Sequence, residues 1–241
     1  MSFKSKVAAA AAALTLVGGV GMAGALTAGS ASAATPSCGP SCIDVFSKQF
    51  GTHAHPNYVV DVYRQGEKAG QPIILFRTAN YDPAEDFTVA YQGTVADFYA
   101  AKMVSAALNL HYSNMPAFEN EYAPFGVDSG LCMGVATTAV QGEGVTLQAC
   151  GVSANTVWIL DFADSWSPFI HSSYIPLING SDTNFSHPYV LTYPKNGFPT
   201  DMPRPQLTVT NLTGFANGFG IPEIGTVESN QLWSADAGVL S

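Results

Sequence analysis

Glu119 and Glu121 are the carboxylates whose spacing best suits paired chemistry. Two residues apart on an extended strand, they share a face, and a carboxyl pair on one face is what glycoside cleavage uses. Next to Tyr122 and Pro124 they read instead as a solvated edge, so no catalytic residue is assigned and the chain is not read as an enzyme. His53 and His55 alternate and could ligate a metal with His187 or Asp61, but the loop before Pro56 suits them better. Asp182-Thr183-Asn184 has the opening of a calcium loop without its full ligand series. No Gly-x-Ser-x-Gly elbow, His-Glu-x-x-His pair or phosphate loop occurs. No metal or cofactor is expected. What remains is non-catalytic binding, whose residues depend on the elements that carry them.

Those elements repeat. Ala84-Glu85-Asp86-Phe87, Asn155-Thr156-Val157-Trp158 and Asn230-Gln231-Leu232-Trp233 each follow an apolar alternating run and end on an aromatic, at intervals of about 71 and about 75 residues. Units of this kind cannot each bury a core alone, but three packed about one axis can. Phe87, Trp158 and Trp233 are expected to point into that shared core. The first unit reads as strands at Tyr58 to Tyr63, Pro72 to Phe76 and Phe87 to Tyr91, after an opening run at Ile43 to Phe50. The second has Gly130 to Val135, Val145 to Gln148 and Val157 to Leu160. The third has Tyr189 to Thr192, Leu207 to Thr210 and Leu232 to Ser234, and Gly238-Val239-Leu240 could close the sheet against Ile43 to Phe46. Two insertions separate the units, Phe98 to Gly126, with an Ala-rich helical piece at Ala100 to Leu110, and Phe162 to His187.

Residues 1–33 read as an export signal: Lys4 and Lys6, an apolar run from Val7 to Leu26, and the small-x-small site Ala31-Ser32-Ala33. Residues 34–42 form a short leader and residues 43–241 one domain, large enough for a sizeable core. The chain is expected to be secreted, by a bacterium, and monomeric. The formal net charge of −9 disfavours nucleic acid and anionic lipid, and no stretch after the signal is long and apolar enough to span a bilayer. Four cysteines in an exported chain favour two disulfides, with three pairings formally possible. Cys38 and Cys42 flank a tight turn and should close locally, while Cys132 and Cys150 sit at the two ends of one strand–turn–strand unit. Asn179, Asn184 and Asn211 begin glycosylation sequons, read here as turn chemistry.

Val59-Val60-Asp61-Val62, Ile74-Leu75-Phe76 and Glu85-Asp86-Phe87, followed by Cys132-Met133-Gly134-Val135, Leu147-Gln148-Ala149-Cys150 and Thr156-Val157-Trp158, and then Gln231-Leu232-Trp233, resemble the repeated strands of a ricin-type β-trefoil. The resemblance implies an all-β fold, a β-trefoil with three pseudo-repeats. It also implies that the Cys132 and Cys150 spacing is a within-repeat disulfide. Each unit of that family can hold one shallow sugar site: an Asp ending the first strand, a stacking aromatic on the second, and polar groups before the Gln-x-Trp aromatic. Here Asp61 matches the Asp and Phe76 the aromatic, with Glu85 in place of Gln and Ala84 in place of Asn. In the second unit Gly134 replaces the Asp and Gln148 the aromatic; in the third, Thr192 and Val209 do so. Asn155, Asn230 and Gln231 are kept.

The expected function is non-catalytic binding of a polysaccharide or glycoconjugate through Asp61, Phe76 and Glu85. The alternative is a protein-binding trefoil, such as a protease inhibitor, working through its insertions.

Overall fold

A computed structural model describes residues 42–48, 51–52, 55–56, 58–77, 82–161, 174–194, 205–213 and 227–237. The signal segment, Cys38, His53 and Gly238 to Leu240 lie outside the described residues. The first unit contains β1 (Ile43–Ser47), a two-residue hairpin of β2 (Gly51–Thr52) and β3 (His55–Pro56), then β4 (Tyr58–Val62), β5 (Ile73–Arg77) and β6 (Phe87–Thr94). Two helices follow, α1 (Val95–Ala100) and α2 (Ala106–Tyr112). The second unit is β7 (Pro116–Tyr122), β8 (Leu131–Val135), β9 (Glu143–Ala149) and β10 (Val157–Leu160). The third is β11 (Leu177–Asn179), β12 (Tyr189–Thr192), β13 (Thr208–Asn211) and β14 (Trp233–Ala237).

One pairing scheme is executed three times. The first long strand of each unit pairs with the next strand, as in β1–β4, β7–β8 and β11–β12. The second and third form a hairpin, β4–β5, β8–β9 and β12–β13. The last strand pairs with the first strand of the following unit, β6–β7, β10–β11 and β14–β1. Closure by β14 on β1 leaves the barrel without an edge there. The partner of Ile43 to Ser47 is Trp233–Ala237, rather than the final residues the sequence suggested. The three hairpins cap one end, joined by Pro72 to Thr146, Ile74 to Gln206 and Thr208 to Gly144. This is a β-trefoil.

The threefold plan follows from its core. Phe87, Trp158 and Trp233 are fully buried in one cluster with residues of all three units. The Trp158 indole N–H donates to Met133 O (2.9 Å), and that of Trp233 to the equivalent Leu191 O (2.8 Å). Phe87 has no N–H to place and packs on Tyr122 instead, ring centroids 5.8 Å apart.

Two barrel strands hide inside what the sequence presents as insertions. β7 lies within residues 98–126 because its outward side chains are Glu119 and Glu121, which mask the alternation. β11 lies within residues 162–187 and is only three residues long. The Ala-rich piece is two helices, each with a hydroxyl cap: Thr94 for α1, in a reciprocal capping box with Asp97, and Ser105 for α2. Cys132 and Cys150 are bonded, and Cys42 is also in a disulfide. No helix among the described residues is long and apolar enough to cross a membrane.

Candidate functional site

Asp61 leaves the core by strand alternation. On β4, Val60 and Val62 enter the core cluster, and on β5, Ile73 and Leu75 do so. Asp61 therefore faces the other way, opposite Ile74, with Phe76 on the same face one step along β5. The structure thus brings Asp61 and Phe76 together as the sequence suggested. Phe76 is half-buried.

The third element is a single 3-10 turn, Pro83–Glu85, whose start is fixed by Asp82: its Oδ1 accepts from Ala84 N at 3.0 Å. Pro83 at the first position suits that start. The turn carries Glu85 to Asp61, and one carboxylate oxygen from each of Asp61, Asp82 and Glu85 lies within 4.8 Å of the others. Asp61 and Glu85 are buried and Asp82 is the most open of the three. Gln65 Nε2 donates to Asp82 Oδ1 (3.1 Å) from the neighbouring Tyr63–Gln65 turn. Asp82 was not singled out in the sequence; Asp-Pro ahead of the turn is the signal that could have found it.

The negative field reaches inward. Burial first, then the charges of Glu67, Asp61, Asp86 and Asp82, push the Tyr122 phenol far above its ordinary value. Clustered carboxylates of this kind accept hydrogen bonds from hydroxyl groups, and the half-buried Phe76 ring adds an apolar plate. Three carboxylate oxygens at this spacing are also a donor set for a hard cation, but acidic clusters commonly occur without one, so the geometry assigns no ion.

The equivalent places in the other units are closed. A Cβ on Gly134 would stand 2.5 Å from Asn155 O and 3.0 Å from Thr156 Cα. In the third unit Thr192 and Thr210 share a hydrogen bond (2.7 Å), and Gln231 Nε2 donates to Thr210 Oγ1 and Asn211 O (both 2.9 Å). The register, Thr192 opposite Thr208, makes Thr210 the counterpart of Phe76; Val209, the sequence's choice, points into the core. Asn155 and Asn230 are structural too: the Nδ2 of Asn155 donates to Val135 O at the end of β8 (2.6 Å), and that of Asn230 to Tyr193 O just past the end of β12 (2.7 Å).

Glu119 and Glu121 do share a face but are buried, not a solvated edge. Glu119 accepts from Gly151 N (3.0 Å) and Thr156 Oγ1 (2.5 Å), and Glu121 from Gly130 N (2.6 Å). They clamp the two ends of the disulfide-closed β8–β9 hairpin. Asp182 is likewise structural, its Oδ1 accepting from Asn184 N (3.2 Å) and Tyr189 N (3.1 Å). Asn179 is fully buried and donates to Asn155 O (3.0 Å).

The molecule is a β-trefoil with a carboxylate-and-aromatic face in its first unit. Three solved structures are similar to it in fold. They are a designed threefold-symmetric protein, ThreeFoil (12% identity, TM-score 0.48, 81% of this chain and 97% of that one); a Macrolepiota procera ricin B-like lectin in complex with lactose (14%, 0.43, 82% and 95%); and a proteinase inhibitor from Coprinopsis cinerea (12%, 0.44, 81% and 96%). No family profile and no curated protein matches the sequence.

Proposed function

We propose that the protein is a secreted bacterial carbohydrate-binding trefoil, acting as a monomer and without catalysis, that holds a polysaccharide or glycoconjugate through its first unit. Asp61 and Glu85, joined by Asp82, take sugar hydroxyls, and Phe76 takes the C–H face. The observation that carries this reading is the asymmetry of the three units: carboxylates converge beside an aromatic in the first, while Asn155 O over Gly134 and the Thr192–Thr210–Gln231 network fill the same place in the others. A glycan array tests it. The native protein should be retained on at least one glycan, and Asp61→Ala should lose that retention while its thermal melting stays within a few degrees. Retention of neither protein on any glycan overturns the reading.

A protein-binding role is the second reading, and one observation favours it: Leu110 on α2 is 81% exposed, beside exposed Ala106 and Ala107. Deleting residues 162–187 would not test it, since β11 is a barrel strand. Leu110→Asp would, by abolishing capture of a protease partner while the fold persists.

A further inference from the structure

Internal symmetry singles out Asp86. The residue before the core aromatic is Val157 in the second unit and Leu232 in the third, both apolar and buried. In the first unit it is a fully buried carboxylate. Asp86 Oδ2 accepts from Phe125 N at 2.8 Å, and Asp86 O from Ala123 N at 2.8 Å. The carboxylate thereby holds the Pro124–Gly126 turn, which packs against the Pro83–Glu85 turn that carries Glu85.

What it holds there is unusual. Phe125 has φ 56° and ψ 24°, a left-handed conformation that bulky side chains rarely adopt. Phe125 is 70% exposed, so little burial offsets the strain. Its counterpart after the next barrel strand is Asp182, which is buried and hydrogen-bonded. An exposed aromatic, held by a buried carboxyl oxygen in a costly backbone state beside a carboxylate cluster, lacks a packing explanation.

We infer that Phe125 is a second stacking plate and that the ligand is an oligosaccharide of at least two rings, one at Phe76 and the carboxylates, the next on Phe125. This rests on the carbohydrate reading above. Asp86 is the positioning residue, setting the height of the ring through the Phe125 amide.

Phe125→Gly makes the test, since glycine adopts the left-handed turn without strain. Calorimetric titration would compare cellotriose, maltotriose, chitotriose and galactotriose with glucose, N-acetylglucosamine and galactose. At least one trisaccharide should bind the native protein roughly five- to tenfold more tightly than its own monosaccharide. Phe125→Gly should bring that ratio near one while melting at the same or a higher temperature, and Phe125→Tyr should restore it. An unchanged ratio in Phe125→Gly, or no trisaccharide preference where a monosaccharide binds, overturns the inference and leaves the single-ring reading standing. Binding of none of these sugars counts against both.

Discussion

Asp61 and Gly134 hold the same place in successive units, and only the first has room for a side chain. Asp61 faces Ile74 across its hairpin as Gly134 faces Thr146. Around Asp61 the 3-10 turn contributes Glu85 and Asp82, whose carboxylate oxygens lie within 4.8 Å of that of Asp61. Around Gly134 the equivalent turn closes down until Asn155 O occupies the space. A near-symmetric fold thereby carries its carboxylate cluster in one unit alone among the described residues.

Restoring a side chain in the second unit should therefore cost stability rather than add a site. Gly134→Ala is expected to destabilise by about 1–3 kcal/mol, because the contacts it meets are backbone atoms that cannot swing aside. Urea denaturation measures this. An unchanged midpoint would show that the turn yields.

Asn120 is fully buried on β7, and neither its Oδ1 nor its Nδ2 finds a hydrogen-bond partner among the described residues. The corresponding barrel positions are Val45 and Leu177, by the pairings of Val45 with Ala235, Asn120 with Val89 and Leu177 with Leu160. Asn120→Leu should stabilise by about 1–2 kcal/mol, since it removes an unpaired buried amide and keeps the same branched heavy-atom skeleton. A lower melting temperature would contradict this.

Burial pushes the Glu121 carboxyl up, the Gly130 N–H pulls it down in part, and the charges of Asp128 and Glu119 raise it further. A carboxyl with a raised folded pKa binds its proton more tightly folded than unfolded. Its contribution is complete below the unfolded value and is lost as pH rises through the folded one. Glu121→Gln keeps an oxygen for Gly130 N and cannot ionise. Its melting temperature relative to the native protein should thus climb as pH rises above the ordinary carboxylate range. A flat or falling difference would place the charge elsewhere.

The Cys132–Cys150 bond closes a short loop, with a sequence separation of 18. Replacing both cysteines by alanine should cost about 3 kcal/mol. Glu119 and Glu121 still hold the hairpin ends, so the fold should survive, as far-ultraviolet circular dichroism would show.

The threefold plan was legible because its core aromatics recur at near-even spacing with a polar residue two places ahead of each (Glu85, Thr156, Gln231), and hairpin strands alternate cleanly. β7 was not legible, because its outward residues are glutamates whose partners, Gly130, Gly151 and Thr156, come from a distant stretch of chain. Asp61 and Phe76 could be paired from sequence since one hairpin holds both. Asp82 belongs to the site only through a turn whose position depends on packing. Thr210 was missed by one residue, since loops of different length obscure register and a single step exchanges faces. The role of Asp86 needed coordinates, because its partner is an amide on another unit.

Amide chemical-shift mapping with the glycan that retains the protein on an array tests the central claim most directly. The account predicts perturbations confined to Asp61 to Arg77, Asp82 to Asp86 and the turn at Phe125, abolished in Asp61→Ala. Shifts centred on Gly134, on Thr192 and Gln231, or on α1 and α2, would contradict it.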